Sequence, residues 1–119
     1  MFSSELMGSG GGAGLTNAIK GSVLASETAG GTTQATGTAI SAVTTVCTTG
    51  SAGQGFLLPA TMQPGDEGVF LNASGASLFL YPTSGGKLNN NTANVPLTVV
   101  DKASVRFKYY NASDCIVTF

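Results

Sequence analysis

Histidine and tryptophan are absent from this chain, and charge is scarce: five Lys or Arg and six Asp or Glu among 119 residues. Each shortage excludes something. Without histidine no Ser/His/Asp or Cys/His arrangement can be assembled, and the commonest general acid–base is missing. The acids do not replace it. Asp66 and Glu67 are adjacent, so in a strand they point to opposite faces, while Asp101 and Asp114 stand among turn residues. No catalytic residue is assigned, and the protein is not expected to be an enzyme. Cys47 and Cys115 stand alone, outside any CxxC spacing. They supply at most half of a tetrahedral zinc site; they pair if adjacent strands bring them together, and read better as two small buried apolar residues. Gly10, Gly11, Gly12 and Gly14 do not make a phosphate loop, because no strand leads into them and Lys20 lacks the spacing. Neither a metal nor a cofactor is expected.

Long apolar runs are missing too. No stretch nears the roughly 18 apolar residues of a membrane helix. Glu5 lies where a secretory signal would be basic. No membrane partner is expected, and synthesis in a cytoplasm without export is. The basic residues Lys20, Lys87, Lys102, Arg106 and Lys108 form no patch, which argues against nucleic acid. Charged residues make up 9% of the chain, against about 25% in an ordinary soluble domain. Wetting falls to Thr, Ser and Asn, and a small unit this poor in charge suits packing against other copies or other proteins.

What is present divides in two. Residues 1–33 hold eight glycines and few large apolar groups, so they read as an extended arm that reaches across a neighbouring subunit, the alternative being an ordered loop folded back on its own domain. Its apolar residues Leu6, Leu15, Ile19, Val23 and Leu24 are the candidate partner contacts, and Leu15, Ile19 and Val23 are spaced for a short amphipathic helix. Residues 34–119 read as seven or eight short strands separated by turns, an antiparallel β-sandwich or jelly roll. Residues 39–47 make one strand or two, and Phe56–Leu58 another that ends at Pro59. Pro64–Gly65 makes a turn. Val69–Leu71 and Leu78–Tyr81 flank an Asn- and Gly-containing loop and read as a central hairpin. Leu88 alone anchors the polar loop 83–92, and Val95–Val100 is a strand. Val105, Phe107 and Tyr109 alternate with Arg106, Lys108 and Tyr110 in the cleanest period-two pattern of the chain. A last strand runs from Cys115 to Phe119 and is expected to bury its end. The expected core is Val43, Val46, Phe56, Leu58, Val69, Leu71, Leu78, Leu80, Leu97, Val99, Val105, Phe107, Ile116 and Phe119. Sequons at Asn72, Asn90 and Asn111 are read as chance.

The order Leu58–Pro59, Pro64–Gly65, Asn72 with Gly75–Ala76, Tyr81–Pro82, then Gly85, Gly86 and Asn89, opened by Gln34–Ala35–Thr36, resembles a small β-module of tailed-bacteriophage virion proteins. The pattern's closing tryptophan strand is missing; Cys115 and Ile116 stand there. The resemblance implies a capsid decoration (cement) protein on the outer capsid surface, made in the host cytoplasm, associating as a homotrimer and gripping the major capsid protein. Its alternative is a tail or head fibre or receptor-binding module that contacts host glycans, with Tyr81, Tyr109 and Tyr110 as the only stacking aromatics.

Overall fold

The computed structural model describes residues 22–60 and 62–119. Thr, Val and Ser crowd the first half of that span, and such residues lose rotamer freedom in a helix but fit a pleated surface. Accordingly every regular element described is a strand, apart from one 3-10 turn at Gln34–Thr36. The strands are β1 (Val23–Thr28), β2 (Thr38–Ala39), β3 (Thr44–Thr49), β4 (Gly55–Leu57), β5 (Glu67–Asn72), β6 (Leu78–Tyr81), β7 (Leu97–Val99), β8 (Ser104–Tyr109) and β9 (Cys115–Thr118).

The described residues are all-β, in two mixed sheets. One has the order β1-β3-β5-β8-β9 and the other β2-β4-β6-β7. From β1 to β6 the chain steps to the opposite sheet at every strand, so β1, β3 and β5 stack in parallel in one sheet while β2, β4 and β6 do so in the other. Parallel neighbours require a crossover. Here a strand of the facing sheet serves where a helix is usual, and the result is three turns of a flattened coil. The remaining strands close it antiparallel: β7 on β6, β8 on β5 and β9 on β8. The outer edge of β9 is then blunted by Asn89, whose side-chain amide donates to the Val117 carbonyl at 3.0 Å and accepts from the Val117 N–H at 2.8 Å.

Several expectations change. The order is not antiparallel throughout, since four of the seven strand ladders are parallel. The central pair is not a hairpin: β5 and β6 belong to different sheets and are joined by an arch. Asn72 makes the arch. It is fully buried, its amide N–H groups donate to the carbonyls of Ala76 (2.7 Å) and Val99 (2.9 Å), and its carbonyl accepts from the N–H (3.0 Å) and hydroxyl (2.7 Å) of Ser74. A buried amide with every hydrogen-bonding group satisfied fixes one geometry. A hairpin turn needs no such side chain.

The end of the proposed arm is part of the sheet. Val23 and Leu24 lie in β1 opposite Thr44 and Thr45 of β3, so Val23 belongs to a strand and not to a helix. The chain from Ala29 to Gly31 is tied to its own molecule by Ala29 N–H to Thr49 O, Gly30 N–H to Gly55 O and Gly55 N–H to Gly31 O. The contacts proposed at Leu6, Leu15 and Ile19 lie outside the described residues.

The two sheets share one core, with the rings of Phe56 and Phe70 centred 4.8 Å apart between β4 and β5. Phe56, Leu58, Leu78, Leu80, Val99, Val105 and Phe107 are buried as expected, and Leu97 packs against them. Leu88 is buried too, so the polar loop has the anchor expected of it. Val43, Val46, Val69 and Leu71 are only half-buried, while Phe70 and Asn72 take the inward positions on β5 and Thr45 and Cys47 on β3. Ile116 and Phe119 are exposed; Cys115 and Val117 face inward, and the chain does not bury its last residue. Cys47 and Cys115 are both free and buried, on strands separated by β5 and β8. Three strand spacings amount to about 14 Å, well beyond disulfide reach.

Candidate functional site: the outer face of the five-stranded sheet

Cross-strand register and alternation assign each side chain to a face. In the outward row through the middle of the sheet stand Val23, Thr44, Val69, Arg106 and Thr118. The next row holds Val46, Leu71 and Ser104, and on the other side Glu67, Lys108 and Ile116 share a row. The face therefore has two tones. Over β1, β3 and β5 it presents Val23, Val46, Val69 and Leu71; over β8 it presents Arg106 and Lys108, with Glu67 directly across from Lys108.

The sequence explains the inversion that put these apolar residues outside. Val69, Phe70 and Leu71 run without a polar break, the pattern of a strand covered on both faces, and alternation cannot choose between them. Size and shape decide. Phe70 fills the space against Phe56, and Gly68 leaves room for Phe107: a Cβ there would lie 2.5 Å from the Phe107 ring and 2.9 Å from the Val43 carbonyl oxygen. Both constraints place the even-numbered residues of β5 inward, which turns Val69 and Leu71 out. Of the arm residues proposed as contacts, Val23 reaches this face and is 58% exposed, whereas Leu24 pairs with Thr45 on the inward side.

The titratable groups with displaced pKa values lie elsewhere in the fold. Burial pushes the Cys115 thiol up to about 12 and raises Cys47 and Tyr109 as well. Such thiols stay protonated and unreactive at neutral pH. The Tyr109 hydroxyl donates to the Pro59 carbonyl at 2.6 Å. Asp114 is held below the usual carboxylate range first by the Asn111 amide, and its carboxylate also accepts the Lys87 N–H. Asp101 is lowered chiefly by the neighbouring Lys102 ammonium and also accepts the Gly75 N–H at the arch. Among the described residues no group of three or more Asp, Glu or Cys side chains is drawn together in a way that holds a metal ion, and no helix is long and apolar enough to cross a membrane. Of the three tyrosines considered for stacking on sugars, Tyr81 and Tyr109 are core residues and Tyr110 is exposed. Comparison with known protein families, with curated protein sequences and with solved structures gave no match.

Sequence reasoning marked Val69 and Leu71 as core and so missed the outer face. The available signal was the unbroken apolar run itself, which says that both sides of β5 have something to cover. Asn72 was read only as a turn residue and a chance sequon. Its lack of exposure is a property of the arch, which local sequence does not encode.

Proposed function

We propose that this chain is a virion structural protein, a capsid decoration protein that assembles as a homotrimer on the outer capsid surface and docks on the major capsid protein. The observation that carries the reading is the apolar half-face of Val23, Val46, Val69 and Leu71, left outward on a molecule with only eleven charged side chains. Apolar surface on a chain so poor in charge favours permanent association, and weak contacts repeated around a trimer reinforce one another. In this reading the two sheets form a sandwich of two layers, wound as a coil in its first half. Adhesion comes from the sheet face and from residues 1–21 together, because β1 belongs to the fold and is not free to act as an arm.

Two measurements test it. Sedimentation of the purified chain is expected to give a trimer, and Val69→Asp with Leu71→Asp to give a monomer whose far-UV circular dichroism is unchanged. Removal of residues 1–21 is expected to lower occupancy on capsids, while removal of residues 1–31 also takes away β1 and destabilises the fold. A parent chain that sediments as a monomer at high concentration and never co-sediments with capsids would falsify the proposal.

A second reading, part of a tail or head fibre, is favoured by the coil. Its C-terminal side is closed by antiparallel strands, whereas β1 and β2 are the outermost strands of their sheets at the other end, an arrangement suited to stacking along an axis. The glycan-binding form of that reading has only Tyr110 as an exposed stacking tyrosine.

A further inference from the structure

At the end of the molecule where β3 and β5 begin, the link from β2 to β3 and the link from β4 to β5 enclose a cavity of about 310 Å³. Its walls are largely apolar, with Ile40, Val43, Met62 and Phe107 beside Ser22 and Ser41, and of these Ile40 and Phe107 are buried. Exposed Asp66 and Glu67 are the charged residues of the lining, and among the described residues no Lys or Arg joins them. The Asp66 carboxylate is fixed in place by the Gln63 N–H, which donates to Oδ2 at 2.9 Å across the Pro64–Gly65 turn. Glu67 faces one cation, Lys108, its cross-strand partner on the outer side of the sheet. The volume is at the lower end of small-ligand sites and holds roughly ten water-sized groups.

A largely apolar pocket bordered by two exposed acidic residues suits one kind of guest. An aliphatic stem removes the walls from water, and a cationic head stays at the rim beside the acids, as long basic side chains do wherever they cross an apolar surface. An anionic or neutral apolar guest gains the first term without the second. We propose that this cavity is an anchor for an aliphatic ammonium group, the side chain of a lysine presented by a partner protein. Charge complementarity selects this guest, and the proposal stands whether or not the partner is a capsid.

The probe is n-hexylammonium, titrated into the full-length chain and followed by the methyl resonances of Ile40, Val43 and Met62. Saturable shifts at these methyls with millimolar affinity are expected, together with at least tenfold weaker binding of hexanoate. The double variant Asp66→Asn, Glu67→Gln is expected to bind n-hexylammonium about tenfold more weakly. Both residues are exposed, so the variant should fold, and affinity in the unaltered chain should also fall as salt is raised. Equal binding of hexanoate and n-hexylammonium, or affinity indifferent to salt, overturns the proposal. Lys20 stands two positions before Ser22, which also lines the cavity. Binding seen only in Lys20→Ala would assign the site to the chain's own lysine and overturn the assignment to a partner.

Discussion

The wound part of the molecule, residues 23–81, and the closing part, residues 84–119, solve the same problem differently. In the wound part each sheet grows by parallel pairing between strands far apart in sequence, and β3 and β5 carry apolar residues on both sides. In the closing part β8 lies antiparallel to β5 and β9, and its burial alternates strictly: Val105, Phe107 and Tyr109 inward, Ser104, Arg106 and Lys108 outward. A strand with a polar side announces its orientation. A strand apolar on both sides leaves that choice to its neighbours, and here Gly68 and Phe70 make it.

The sharpest way to break the comparison is to exchange the two faces of β5. Phe70→Ala should cost about 3–5 kcal/mol by urea unfolding, because it empties the contact with Phe56. Val69→Ala on the outward side should cost under about 1 kcal/mol in the monomer. Equal losses at the two positions would mean that the faces are assigned wrongly. Asn72→Ala comes next, at about 2–4 kcal/mol, since the carbonyls of Ala76 and Val99 lose an amide donor. Asn72→Asp should not rescue it, as a carboxylate cannot donate to either.

Gly68→Ala probes the same orientation from the backbone and should cost about 1–3 kcal/mol, because the added methyl meets the Phe107 ring and the Val43 carbonyl. Thr45→Val should go the other way. The Thr45 hydroxyl is buried on the inward side of β3 with no hydrogen-bond partner among the described residues, so its replacement by a methyl of the same shape should stabilise by about 1 kcal/mol.

The smallest effect at neutral pH belongs to Cys115. Burial raises its pKa from 9.0 to about 12, so the folded state holds a proton that the unfolded state releases. The corresponding stability is complete below pH 9 and is lost as pH rises toward 12. Urea unfolding at pH 7 and at about pH 10 should therefore show a smaller alkaline loss in Cys115→Ala than in the parent. Tyr109, raised by burial in the same sense, accounts for part of what remains.

How much was legible follows the same division. The alternation in β8 was readable because Arg106 and Lys108 interrupt it. The turn at Pro64–Gly65 was readable because Gly65 takes a φ of 95°, and the Asp66 N–H bonds back to the Gln63 carbonyl at 3.0 Å. The stretch 68–81 misled for an equally local reason. Two apolar runs around Asn and Gly match a hairpin, and nothing within fourteen residues of sequence says that the second run crosses to another sheet. The cavity was illegible as well, since Ile40, Met62 and Phe107 come from three separate parts of the chain.

By itself the sequence determined that this is an all-β chain of short strands, that it carries no histidine chemistry, and that Val105, Phe107 and Tyr109 share a buried face. Those properties reside in composition and in neighbours one or two residues apart. Tertiary structure alone decided that β1, β3 and β5 run parallel, that β5 and β6 part into different sheets, and that Val46, Val69 and Leu71 look outward. Those choices depend on which distant strand lies alongside and on where one large ring and one missing methyl fit.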